Sequence, residues 1–83
     1  MNRTAIIMFQ PFVFEQVILV YENGILIDTR KESIERISSV LRDLSSQYGI
    51  SNIQLIGNQD YLDHMQNEIK STVPSTVDVN ILK

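Results

Sequence analysis

Several kinds of chemistry are absent from this 83-residue chain. It has no cysteine, which excludes a disulfide framework, a thiolate metal site and a cysteine nucleophile. It has one histidine, so any histidine-based catalysis would depend on His64 alone. The net charge is −3 and the basic residues are spread along the chain, which weakens the case for binding a phosphate backbone.

Long apolar runs are also missing. No stretch could span a bilayer, and no cleavage pattern of a secretory signal follows the apolar residues 5–9. We therefore expect a cytoplasmic protein without membrane contact. The content of 43% hydrophobic and 20% charged residues is that of an ordinary globule, and the length predicts a single domain over residues 1–83.

The first part of the chain is rich in β-branched and aromatic residues, which predict strands over residues 5–9, 12–21 and 25–28. Asn23 and Gly24 predict the hairpin turn between the second and third strands, because both tolerate positive φ. Gln10-Pro11 is compatible with either a turn or a bend. The sequence also does not decide which side chains of strand 12–21 lie on which face of the sheet, since a bulge near Gln16 would reverse their alternation.

The rest of the chain predicts two helices, each followed by a strand. Thr29 and Glu32 match a capping box, and Gly49 is placed to end the first helix. The buried stripe of this helix would be Ile34, Ile37, Val40, Leu41, Leu44 and Tyr48. Asn58 predicts the cap of the second helix, whose stripe would be Tyr61, Leu62, Met65 and Ile69. Strands are predicted over 53–57 and 77–81, with a loop over 71–75.

The resulting order, β-β-β-α-β-α-β, predicts an α/β (α+β) two-layer sandwich. Its mixed five-stranded sheet would carry both helices on one face. One alternating set of side chains is apolar and should meet the helices: Ile25, Ile27, Ile53, Leu55, Val77, Val79 and Ile81. The other set is mixed and should remain uncovered: Leu26, Asp28, Gln54, Ile56, Asp78, Asn80 and Leu82. Strand 12–21 would add either Val17, Leu19 and Tyr21 or Phe12, Phe14 and Ile18 to this uncovered face.

This element order resembles the ribonuclease H-like superfold, in which a three-stranded antiparallel meander precedes two helix–strand units. The resemblance covers nearly the whole chain and implies the strand order 3-2-1-4-5. Enzymes of the superfold carry acidic residues in the first strand, on the first helix and at the end of the fourth strand. Here the first strand has no carboxylate, the first helix offers Glu32 and Glu35, and the fourth strand ends in Gly57-Asn58. The Asp-Gly phosphate loop of the actin-like ATPases is absent too.

Two candidate ligand sites lie near the predicted helices. Asp60, His64 and Glu68 are spaced for one helix face and could hold a metal, but they lie opposite the buried stripe, which favours a solvated surface. Asp28-Thr29-Arg30 with Lys31, and similarly Gly57-Asn58-Gln59, could bind an anion at a helix start. The capping roles of Thr29 and Asn58 are a sufficient explanation for these residues.

The aromatic residues admit two interpretations. Phe9, Phe12 and Phe14 with Arg3 nearby could stack nucleobases, but core or interface positions are favoured in so acidic a chain. Tyr48 and Tyr61 continue helical stripes and are predicted core residues.

These observations favour a small non-enzymatic accessory protein of the bacterial or phage type that binds a protein partner or itself. The predicted contact surface is the uncovered sheet face, because an exposed apolar patch often marks a protein contact. We expect no cofactor and no metal, and nucleic acid is disfavoured. Two alternatives remain: a nucleic-acid-associated or decayed ribonuclease H-like module, and a metal-dependent hydrolase using Glu32 or Glu35, Asp28 and Asp60.

Overall fold

The computed structural model describes residues 2–10 and 12–82. Within them the elements follow one another in the predicted order, with a short 3-10 turn at Ile34–Arg36. The strands are β1 (Arg3–Met8), β2 (Glu15–Glu22), β3 (Ile25–Ser33), β4 (Asn52–Ile56) and β5 (Asp78–Ile81). The α-helices are α1 (Ile37–Tyr48) and α2 (Gln59–Thr72). No helix in this part of the chain is long and apolar enough to cross a membrane.

The strands form one five-stranded sheet in the order β3-β2-β1-β4-β5. β1, β2 and β3 make an antiparallel meander, whereas β4 pairs parallel to β1 and β5 parallel to β4. The strand order implied by the resemblance is therefore confirmed. β1 lies at the centre of the sheet, so both of its edges are hydrogen-bonded.

The centre of one face of the sheet is completely buried under the two helices. Ala5 and Ile7 of β1 lie opposite Val20 and Ile18 on one side and opposite Ile53 and Leu55 on the other. All six side chains have no exposed surface, and they join Leu41, Leu62 and other helix residues in one core. Burying an aliphatic side chain contributes about 1.5–3 kcal/mol. The predicted two-layer architecture is confirmed.

The third strand is longer than predicted, which corrects the start of the first helix. β3 continues through Thr29, opposite Leu19, to Ser33, opposite Glu15. Thr29 and Glu32 are therefore strand residues and form no capping box, and α1 begins at Ile37 without a side-chain cap. The reason is the length of β2: its eight residues offer backbone partners that outweigh a cap contributing only about 1 kcal/mol.

Most helix termini lie where the sequence predicts them. Gly49 ends α1 in the left-handed region with φ of 64°, and its N–H donates to the Ser45 carbonyl. Asn58 caps α2, where its Oδ1 accepts the Asp60 N–H at 3.0 Å. α2 continues to Thr72, which shortens the predicted loop, and β5 begins at Asp78 rather than one residue earlier.

A buried glutamine holds the connection between β1 and β2. Gln16 is 2% exposed. Its Oε1 accepts the Gln10 N–H at 2.9 Å, and its Nε2 donates to the carbonyls of Gln10 and Val13 at 3.1 and 2.7 Å. The connection thus joins two separate antiparallel strands. Pro11 itself, on which the choice between turn and bend rested, lies outside the described residues.

The two capping predictions can be separated by mutation. We expect Asn58→Ala to lower the free energy of unfolding by about 1 kcal/mol, because the Asp60 N–H loses its acceptor. Thr29→Val removes a hydroxyl but keeps a β-branched side chain, so a strand residue should lose less than about 0.5 kcal/mol. Urea unfolding followed by circular dichroism measures both. A Thr29→Val loss equal to that of Asn58→Ala would contradict the strand assignment.

Candidate interaction face

The side chains that alternate with the buried set form the other face of the sheet, which we call the open face. Strand pairing arranges them in three rows. From β3 to β5, the first row is Leu26, Tyr21, Thr4, Asn52 and Asp78. The second is Thr29, Leu19, Ile6, Gln54 and Asn80. The third is Lys31, Val17, Met8 and Ile56, continued by Leu82 just past β5.

Apolar side chains cross the open face as a diagonal strip, which we call the apolar band. It consists of Leu26, Tyr21, Leu19, Ile6, Val17, Met8, Ile56 and Leu82. Its most exposed members are Met8, Leu26 and Leu82, which are 53%, 49% and 45% exposed. The other five are half-buried by their neighbours in the sheet. The band runs from one corner of the sheet to the opposite corner.

Polar side chains occupy the two remaining corners, one on each side of the apolar band. The basic flank consists of Lys31 and Thr29 on β3. The acidic flank consists of Thr4, Asn52, Gln54, Asp78 and Asn80, with a hydrogen bond of 3.3 Å from Asn80 Nδ2 to Asn52 Oδ1. Within the described residues neither Lys31 nor Asp78 makes an ion pair. The open face therefore carries opposite charges at diagonally opposite corners.

One residue predicted for this face, Asp28, lies on the other side of the sheet. The β2–β3 register shifts so that Tyr21 lies opposite Leu26 while Val20 lies opposite Asp28. The extra residue is Ile27, and such a bulge reverses the alternation beyond it. The possible bulge near Gln16 is thus not where the irregularity occurs. The other six predicted residues do lie on the open face, and their contact with a partner stays a prediction.

The hairpin end of β3 corrects a second expectation. Ile25 and Ile27 were predicted to meet the helices, yet they are 69% and 38% exposed. The reason is that the C-terminal end of α1 contacts β3 at Asp28 and Arg30, through Tyr48 and Gln47. The helix does not extend as far as the hairpin.

The open-face residues of β1 and β2 were only partly found from the sequence. Val17, Leu19 and Tyr21 were one of two alternatives for β2, and the structure selects them. Ile6 and Met8 were missed. Residues 5–9 are all apolar, so no alternation of polarity in the sequence distinguishes Ile6 and Met8 from their buried neighbours Ala5 and Ile7.

Asp28 instead belongs to a small polar cluster that joins β3 to the end of α1. Tyr48 Oη donates to Asp28 Oδ2 at 2.6 Å, and this bond is the main reason that the pKa of the Asp28 carboxyl is lowered. Partial burial opposes the shift, while the Thr29 N–H and the Arg30 guanidinium reinforce it. The same bond raises the pKa of the Tyr48 hydroxyl. The cluster serves to attach the strand to the helix.

The predicted anion and metal sites are explained by structural roles. Asp28-Thr29-Arg30 lies inside β3, so it offers no helix start to an anion. Asn58 caps α2, and Glu68 accepts a hydrogen bond from Ser38 of α1 at 2.9 Å. No group of three or more metal-ligating side chains is brought together in residues 2–10 and 12–82.

The arginine side chains are likewise paired with nearby acidic residues. All four arginines lie within 4 Å of a carboxylate: Arg3 with Glu22, Arg30 with Asp28, Arg36 with Glu32, and Arg42 with Asp43. Arg3 lies at the start of β1, whereas Phe9 follows its end, so the predicted cluster of phenylalanines with this arginine does not form. Phe9 is buried, but Phe12 and Phe14 are exposed.

Comparison with known proteins agrees with this fold. No family model matches the chain, and no curated protein matches it. A crystal structure from Bacteroides thetaiotaomicron, described as a protein with actin-like ATPase fold and unknown function, matches with a TM-score of 0.73 and 16% identity. The match covers 98% of this chain and 32% of that one, so this chain spans about a third of its length. The actin-like ATPase fold is a form of the ribonuclease H-like superfold, so the resemblance to this superfold is confirmed for the fold alone.

The Tyr48–Asp28 hydrogen bond leads to a prediction about pH. In Tyr48→Phe we expect the pKa of Asp28 to rise toward its ordinary value, because the main stabilisation of the carboxylate is removed. In the wild type, the stability linked to this lowered pKa is present above the unfolded-state value of about 3.9 and is lost as the pH falls through the folded-state value.

Carboxyl-carbon NMR titration measures this shift directly. Tyr21→Phe, which removes a hydroxyl from the open face, is the matched control and should leave the pKa of Asp28 unchanged. An unchanged pKa in Tyr48→Phe would contradict the assigned cause.

Proposed function

We propose that this chain is a non-enzymatic interaction module that associates with a second copy of itself through the open face. The observation that carries the proposal is the apolar band with its oppositely charged flanks. A cytoplasmic location, expected from the sequence, is part of the same proposal. The neighbour from Bacteroides thetaiotaomicron contributes the fold alone.

The apolar band supplies the driving force for association. Both helices lie on the other side of the sheet, so nothing in the described chain covers this face. Removing apolar surface from water contributes roughly 25 cal/mol per Å². A contiguous apolar strip on a sheet face is typical of a surface that a partner covers, since isolated domains seldom expose such patches.

The arrangement of the charges favours a second copy as the partner. A two-fold interface brings the same patch of both copies together. If the axis runs along the apolar band, each band packs on its equivalent and the flanks are exchanged. The basic flank of one copy, with Lys31, then faces the acidic flank of the other, with Asp78. The surface is therefore self-complementary in both hydrophobicity and charge.

The area of the open face determines how strongly two copies are expected to associate. Five strands about 4.8 Å apart and three rows about 6.8 Å apart give a face of roughly 24 by 20 Å. Two such faces bury on the order of 1,000 Å², the lower end of the range for specific interfaces. We therefore expect a reversible dimer whose population depends on concentration.

The edges of the sheet are poorer candidates for self-association. The β3 edge carries a bulge at Ile27 and the charged residues Arg30, Lys31 and Glu32, all of which oppose strand addition. The β5 edge has only four strand residues, Asp78–Ile81. Both edges show features that natural sheets use against edge pairing.

Light scattering over a concentration series tests the proposal. We expect the wild-type mass to rise from the 9.5 kDa monomer toward twice that value. Leu26→Glu places a charge in the apolar band and should weaken the dimer at least about tenfold. The matched control is Ile25→Glu, because Ile25 is the neighbouring residue, is more exposed, and lies opposite Glu22 on the other face.

The control should associate like the wild type. A wild type that stays monomeric at every concentration would contradict self-association. Equal weakening by both substitutions would show that the open face is not the contact surface.

A further inference from the structure

A second feature lies at the end of the sheet where β1 and β4 finish, just beyond Met8 and Ile56 of the apolar band. It is a cleft of about 540 Å³, open to solvent on one side, between the β1–β2 connection and the start of α2. Four aromatic rings line it: Phe9, Phe12, Phe14 and Tyr61. We call it the aromatic pocket.

The floor of the aromatic pocket is closely packed. Phe9 and Tyr61 pack edge to face, with ring centroids 5.4 Å apart. The Phe9 N–H donates to the Ile56 carbonyl at 2.8 Å, which continues the β1–β4 ladder beneath the pocket. Gly57 lets the backbones approach closely there, because a Cβ at this position would lie 3.1 Å from the Phe9 carbonyl oxygen.

Three of the described residues in the β1–β2 connection are hydrogen-bonded to the rest of the fold. The hydrogen bonds of buried Gln16 fix Gln10 and Val13, and the Ile34 N–H donates to the Phe14 carbonyl at 3.0 Å. Such a pocket is largely formed before a ligand arrives, so binding costs little ordering of the protein.

The rim shows two unfavourable features at one residue. Phe12 has φ of 63°, a left-handed conformation that costs a residue with a Cβ about 1–2 kcal/mol. Its ring is also fully exposed, next to exposed Val13 and Phe14. Strain of this kind clusters at binding sites, where the surrounding structure maintains it. Folding alone does not account for three exposed apolar residues in a row.

The lining specifies the chemistry of the ligand. None of the described lining residues carries a charge, and their polar side-chain groups are the amides of Gln10 and Asn58 and the hydroxyl of Tyr61. A charged ligand would be desolvated there without a counter-charge. Aromatic side chains favour a flat ring that can stack or pack edge to face, and the volume is in the range of small-molecule sites. We propose that the aromatic pocket binds an uncharged aromatic small molecule.

Two fluorescent probes with the same ring system test this proposal. N-phenyl-1-naphthylamine is uncharged, and 8-anilino-1-naphthalenesulfonate adds one sulfonate. The chain has no tryptophan, so protein background is low. We expect the uncharged probe to bind with one-to-one stoichiometry and the sulfonate to bind at least about tenfold more weakly. Equal affinities, or no binding of the uncharged probe, would overturn the proposal.

A pair of substitutions locates the probe. Phe14→Ser removes an exposed ring from the pocket and should raise the Kd of the uncharged probe about tenfold. Leu26→Ser, the matched control, removes an exposed side chain from the apolar band and should leave that Kd unchanged. A reversed pattern would place the probe on the open face and overturn the proposal.

An NMR measurement on the wild type locates the probe without relying on a substituted protein. Nuclear Overhauser effects from the bound probe are expected at the ring protons of Phe12 and Tyr61. Their absence under saturating probe, with effects at Leu19 or Ile6 instead, would contradict the pocket assignment.

Discussion

The structure depends on the strict alternation of side chains along β1, β2 and β4. Because Ala5, Ile7, Ile18, Val20, Ile53 and Leu55 all point to the helices and are fully buried, the residues between them must point away. Two helices are enough to cover one face of the sheet and leave the other bare. The open face is thus a direct consequence of the core, and the apolar residues on it contribute little to the core beneath the helices.

A single inserted residue adjusts this pattern at the edge. The bulge at Ile27 places Leu26 in the apolar band and Asp28 on the helix side, where Tyr48 binds it. Without the shift, Asp28 would lie on the open face and add a negative charge beside Leu19. The bulge therefore leaves Lys31 as the charge on that flank, and it protects the β3 edge from strand addition. The aromatic pocket is formed by other residues, those of the β1–β2 connection and the start of α2.

The sequence predicts those parts of the fold whose signals are local. Gly49 and Asn58 act within one turn of their helices, and the alternation of Gln54 with Leu55 or of Val79 with Asn80 needs no knowledge of neighbours. The end of β3 could not be predicted, because it depends on the length of its partner β2, and Thr29 carries a stronger local signal for a cap. The bulge at Ile27 depends on register with β2. The aromatic pocket joins Phe14, Ile34 and Tyr61, which only the tertiary fold brings together.

The most direct test of self-association through exchanged flanks uses two charge reversals. Lys31→Glu and Asp78→Lys should each weaken their own dimer by about tenfold at low salt, since two symmetry-related pairs become repulsive. An equimolar mixture of the two variants restores attraction at both contacts, because Glu at one position then faces Lys at the other. Sedimentation of the mixture is predicted to show a dimer close to wild-type strength. A mixture no heavier than either variant alone would contradict this account.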